Sequence, residues 1–226
     1  MDRTLRPALV AEAIGTFIFF TVGAGAVVIT TYAGAGGGGL VGVALAHGLV
    51  LAVLVSAFGA VSGGHFNPAV TAAVLVAGKI PAARAGWYIV AQAAGALAAG
   101  LLLRAVFSEA VWSPTHLGTP ALGPEISPLM GIAIELVATL LLVFAVLGTA
   151  VDPRGPKIGG LAIGLAIAAD ILFAGPLTGA AMNPARWFGP AVAAGFFDDW
   201  YVWLVGPLAA SVVAGLLWRY VFAEQS

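Results

Sequence analysis

Two stretches decide how this chain reads: SGGHFNPAVT at residues 62–71 and TGAAMNPARW at residues 178–187. Both run Ser/Thr-Gly-small-x-x-Asn-Pro-Ala, and Asn67 and Asn183 are the only two asparagines in the sequence. Asparagine is a preferred helix N-cap. Proline suits the first helical position, where its missing N–H would have had no intrahelical partner. Each motif therefore starts a short helix, over about 68–78 and about 184–194. At 1.5 Å per residue such a helix is about 16 Å long, half the hydrocarbon thickness of a bilayer.

The surroundings of both motifs are apolar. Of 226 residues, 61% are hydrophobic and 8% charged. A soluble domain is about 25% charged and needs that charge as a polar skin, so the solvent of this chain is lipid. No Asp, Glu, Lys or Arg occurs between Glu12 and Lys79, between Arg84 and Arg104, or between Asp199 and Arg219. With roughly 20 apolar residues needed per crossing, the sequence holds six spans, at about 8–31, 40–60, 84–107, 129–150, 158–174 and 200–222. The apolar run at the N-terminus is longer than a signal-peptide core and reads as the first span. A net charge of −1 gives no reason to expect a nucleic-acid partner. With no cysteine, neither a disulfide framework nor a Cys-ligated metal is available. No nucleophile–base set or metal cluster is visible, so neither an enzyme nor a cofactor is expected.

The halves match beyond the motifs. Glu12 opens the first span in AEAIGTFIFF, and Glu135 opens the fourth in AIELVATLLLVF. Three spans per half is an odd number, so the halves insert with opposite topology, an inverted repeat whose working site lies near the midplane. The expected fold is an all-α membrane protein of six transmembrane helices plus two re-entrant half-helices. It would form one channel domain over 1–226, with repeats at about 8–107 and 129–222. The half-helix N-termini then bring their positive dipole ends to one spot, and Gly63, Gly64, Gly175 and Gly179 let the backbone turn there. Irregular backbone at that depth is tolerated only where protein buries it or a cavity hydrates it, which places a pore there. Residues 108–127, with Pro114, Pro120 and Pro124, read as an extended outer loop, and Gly36–Gly39 as a flexible one. Arg3, Arg6, Lys79, Arg84, Arg154, Lys157 and Arg219 fall on one side of alternating spans. Both termini are thus expected in the cytoplasm and the chain in the cell (plasma) membrane.

At these residues the sequence resembles the aquaporin family (major intrinsic proteins), and AGPLTGAAMNPARWFGPAVAAG at residues 174–195 is most similar to its tonoplast-type members. The resemblance implies a passive channel for water that excludes protons and ions. In it the amides of Asn67 and Asn183, within the Asn-Pro-Ala motifs completed by Pro68, Ala69, Pro184 and Ala185, donate hydrogen bonds to the passing water. It also implies a four-residue filter: His47, 20 before Asn67; Ile171, 12 before Asn183; Ala180, three before it; and Arg186, just after the second motif. Relaxed filters of this type are associated with ammonia, urea or hydrogen peroxide passing beside water. Glycerol-conducting members carry Asp where this chain has Trp187. A glycerol facilitator is the alternative, and a coupled secondary transporter a remoter one. The resemblance further makes Glu12 and Glu135 buried acids that accept hydrogen bonds from the half-helix loops, and the assembly a homotetramer in lipid. His65 is expected to shape its loop rather than bind metal. Asp170 stands where tonoplast-type members commonly carry Asn, and its role is open between structure and selectivity.

Overall fold

In lipid every backbone N–H and C=O must find its partner within the protein, which leaves helices as the economical way to cross. A computed structural model describes residues 4–32 and 38–222. Arg3, Gly36 and Gly37 lie outside them. The helices are α1 (Leu5–Tyr32), α2 (Gly39–Ser62), α3 (Pro68–Val76), α4 (Ala82–Val106), α5 (Glu109–Trp112), α6 (Pro128–Val146), α7 (Gly159–Thr178), α8 (Pro184–Ala194) and α9 (Val202–Leu217). No strand occurs among the described residues. Helix α6 continues through a π-turn to Val151 and α9 through another to Phe222. With those extensions, six helices are long and apolar enough to span a membrane: α1, α2, α4, α6, α7 and α9. Their outward faces stay apolar: Val53 is 66% and Leu165 60% exposed. Side chains of that kind suit lipid rather than water.

Lipid offers no hydrophobic drive for one helix to seek another, so small residues and close backbone contact hold the bundle together. A Cβ on Gly48 would stand 2.6 Å from the Gly164 carbonyl oxygen, and Gly164 likewise abuts the Gly48 carbonyl, so α2 and α7 cross backbone to backbone. Gly95 of α4 lies against the Ala13 carbonyl of α1. Gly206 of α9 lies against the Ile132 carbonyl of α6, where a Cβ would come within 2.8 Å.

Two short helices start at the Asn-Pro-Ala motifs. Helix α8 covers Pro184–Ala194, as read from sequence, and ends on Gly195 at φ 73°. Helix α3 stops at Val76 rather than near 78, because Ala77 caps it and Gly78 has already swung to φ 75°. Helix α7 runs on to Thr178, beyond the expected 174, carrying Gly175 and Pro176 inside it. Gly175 is therefore no turn residue. It makes room for Leu40, whose Cδ1 would lie 2.7 Å from a Cβ there.

The segment after α4 is also more than an extended loop. It holds α5 and a 3₁₀ turn over Ser113–Gly118. Three successive left-handed residues, His116 (φ 46°), Leu117 (φ 57°) and Gly118 (φ 73°), turn the chain back into the protein. Leu117 through Pro120 are buried, and the His116 ring stacks on Phe196 at 3.9 Å.

Candidate functional site

The two motifs meet side chain to backbone. Asn67 caps α3, its Oδ1 accepting from the backbone N–H of Ala69 at 2.7 Å and of Val70 at 3.4 Å. Asn183 caps α8 in the same way, accepting from Ala185 N–H at 3.0 Å. Each then reaches into the other half: Asn67 Nδ2 donates to Met182 O at 2.9 Å, and Asn183 Nδ2 donates to Phe66 O at 3.0 Å. Proline follows each at the first helical position. Two helix N-termini, each with a partial positive charge, thus face one point.

The carbonyls that receive these bonds belong to residues in an unusual conformation. Phe66 (φ 47°) and Met182 (φ 51°) are left-handed without being glycine, which requires surroundings that hold them. Two buried carboxylates do so. Glu12 accepts from Ser62 Oγ at 2.6 Å, His65 N–H at 3.0 Å and Phe66 N–H at 2.7 Å. Glu135 accepts from Thr178 Oγ1 at 2.6 Å, Ala181 N–H at 2.9 Å and Met182 N–H at 2.7 Å. The two sets correspond bond for bond. Glu12 has one partner more, Gln92 Nε2 at 2.8 Å, which also donates to Thr71 Oγ1 at 3.0 Å. The ring of His65 pairs Nδ1 with Thr71 Oγ1 at 3.0 Å and rests edge-on against Tyr88.

Toward the mouth that the charge pattern leads one to expect outside, α8 carries Arg186 one turn from Asn183. Its Nε donates to His47 Nε2 at 3.2 Å, and its Nη1 donates to Gly118 O at 2.7 Å. His47 Nδ1 lies 2.9 Å from Val43 O. That contact makes Nδ1 the protonated nitrogen and leaves Nε2 to accept, a tautomer assigned from the bonding pattern. Arg186 is only 3% exposed, and no carboxylate among the described residues lies within ion-pair distance of it. Its charge is met by a neutral ring and a carbonyl, so a net positive field remains there. Ile171 and Arg186 share the wall of an outer cavity of about 330 Å³, with Gly118, Thr119 and Pro120 on the loop side. Ala180, 2% exposed, takes a left-handed turn at φ 47° between Gly179 and the second motif. On the other side of Asn67 an inner cavity of about 10 Å³ is walled by Phe19, Leu51, Leu142 and Ile167, room for about one water.

Sequence reasoning had missed several of these groups. Gln92 is the lone amide in a long uncharged stretch, and a polar side chain within a span is a readable signal. Ser62 and Thr178 open the two quoted motifs and could have been paired with the glutamates. The carbonyls of Phe66, Met182 and Gly118 had no signal, since every residue carries one.

The comparisons with known proteins concern the chain as a whole. The family model described as major intrinsic protein matches residues 3–218. The chain is 44% identical over 224 residues to aquaporin TIP4-4 of Zea mays, covering 96% of this chain and 87% of that protein. It is 41% identical over 226 residues to aquaporin TIP2-1 of Arabidopsis thaliana, covering 97% and 88%. Among solved structures, the aquaglyceroporin from Plasmodium falciparum superposes with a TM-score of 0.83 at 25% identity, covering 97% of each chain. Six apolar spanning helices, two capped half-helices tied nose to nose, and these relatives along nearly the whole length place the chain in the major intrinsic protein family.

Proposed function

We propose that the chain is a passive water channel that rejects protons and cations, its pore running between the outer cavity and the inner one. The observation that supports it best is the state of the asparagines. An amide NH₂ has two donors, and each Asn spends one on the opposite half's carbonyl. The second N–H of each is available to a passing water. A water accepting from both has its lone pairs engaged and cannot take a proton from its neighbour, and the Arg186 field repels cations. His47, Ile171, Ala180 and Arg186 form the filter in this reading. Ile171, where orthodox water channels carry a histidine, leaves the constriction wide enough for ammonia, urea or hydrogen peroxide beside water. Residues 1–226 act as one domain of inverted repeats, assembled as a homotetramer in the bilayer with both termini cytoplasmic. The TIP-type relatives lend no support to the cell (plasma) membrane as host, and the proposal extends only to a membrane-embedded channel. Stopped-flow light scattering on proteoliposomes under an osmotic step tests it: water flux well above that of empty liposomes is expected, and flux equal to theirs would refute it.

A further inference from the structure

The halves of this chain meet along two seams that are built differently. Helices α2 and α7 close theirs backbone to backbone at Gly48 and Gly164. Helices α4 and α9 occupy the corresponding places at the other seam, but their glycines make close approaches elsewhere. Gly95 and Gly100 of α4 press on α1 and α8, and Gly206 and Gly215 of α9 press on α6 and α3.

Between α4 and α9 a groove of about 320 Å³ opens. Ile89 and Ala93 wall it from α4, and Leu204 and Leu208 from α9, each pair one helical turn apart. Deeper in lie Pro68, Pro184 and Ala185, all buried, so the groove reaches both Asn-Pro-Ala motifs. Trp187 and Phe188 of α8 complete the lining. At the rim, Ile89 is 38% and Leu208 40% exposed, which leaves the groove open to lipid. Asn67 borders the inner cavity while its neighbour Pro68 borders the groove, so the first motif stands between the two.

What fills this space follows from its chemistry and its depth. The lining is apolar throughout, and even the indole N–H of Trp187 is buried out of it. A water needs two to four polar partners and finds none there. Unfilled, the lining atoms would forgo dispersion contacts on one side. A helix of another chain, about 10 Å across, is too broad for the space. The half-helices begin at the groove, which puts it near the bilayer midplane, where the methyl ends of acyl chains meet.

We infer that the groove between α4 and α9 is a binding site for the end of a lipid acyl chain, which packs against Pro68 and Pro184 and supports the asparagine junction from the lipid side. The ligand is uncharged hydrocarbon, thin and flexible enough to enter where a helix is not.

Tryptophan quenching by brominated phosphatidylcholine tests the site, because bromine on a chain quenches an indole only at close range. Trp87, Trp112, Trp200 and Trp218 lie near the ends of their helices, and Trp203, stacked on Trp187, is fully buried. The share of quenching lost in Trp187→Phe therefore reports the groove. With the full chain in liposomes, that share should be clearly larger for bromines beside the terminal methyl than for bromines beside the headgroup. Ala93→Phe, which fills the groove from α4, should remove most of it, whereas Leu165→Phe on the lipid face of α7 should retain it. A share that is absent, equal for both lipids, undiminished by Ala93→Phe or lost equally in Leu165→Phe overturns the inference; its absence would mean that a second chain covers the groove. If Ala93→Phe does not elute like wild type, Leu204→Phe takes its place from the α9 wall with the same expectation, and the comparison of the two lipids on wild type and Trp187→Phe stands without either.

Discussion

At the scale of the residue, the two buried glutamates are each met by a matched set of donors. Glu12 accepts four hydrogen bonds, two of them from backbone N–H groups of the left-handed loop. Glu12→Gln turns one acceptor oxygen into a donor facing donors, at about 1–3 kcal/mol for each N–H left unmet. A clearly lower thermal unfolding midpoint in detergent is expected, and an unchanged midpoint would contradict the account. Arg186 differs because its contacts are neutral. Arg186→Val should preserve water flux while raising proton conductance several-fold, measured with a pH dye under an imposed potential; a variant as proton-tight as wild type would remove the arginine from the barrier. These residues were visible in the sequence because they are rare there: two asparagines, and long stretches between charges. Their partners were not, because a carbonyl carries no residue-type signature.

At the scale of the element, the decisive contact is the crossing of α2 and α7. Gly48 and Gly164 each admit the other's carbonyl. Gly48→Leu drives a side chain into the Gly164 backbone and must separate the helices that carry His47 and Ile171. A backbone shift of that kind costs about 1–3 kcal/mol or more. Most of the protein should leave the monodisperse peak in size-exclusion chromatography, with Gly48→Ala intermediate; a normal elution profile for the leucine variant would show the crossing to be slack. The spans and the start of each half-helix were legible, since charge gaps and Asn-Pro are local signals. The end of α3 and the continuation of α7 through Pro176 were not. Ends depend on what packs beside them, here Leu40 against Gly175 and the turn at Gly78. The fold-back at His116–Gly118 escaped for the same reason: its left-handed run includes two non-glycine residues held by burial and by the stack on Phe196.

At the scale of the whole molecule, the absence of cysteine gives a clean background. Mercuric ion should leave water flux of the wild type unchanged, and Ala180→Cys should become mercury-sensitive if that turn borders the conducting path; full flux of the cysteine variant with mercury present would take Ala180 out of the filter. The larger consequence comes from the reciprocal bonds of Asn67 and Asn183, which span 115 and 117 residues of chain. Neither asparagine amide finds its carbonyl until the other loop exists, and contacts so distant in sequence close late. A ribosome stalled midway through this message would leave three spans and a re-entrant loop held by Glu12, with the second wall of the channel missing. Perforation of the membrane thus waits for the finished polypeptide, a safeguard for the cell that makes it.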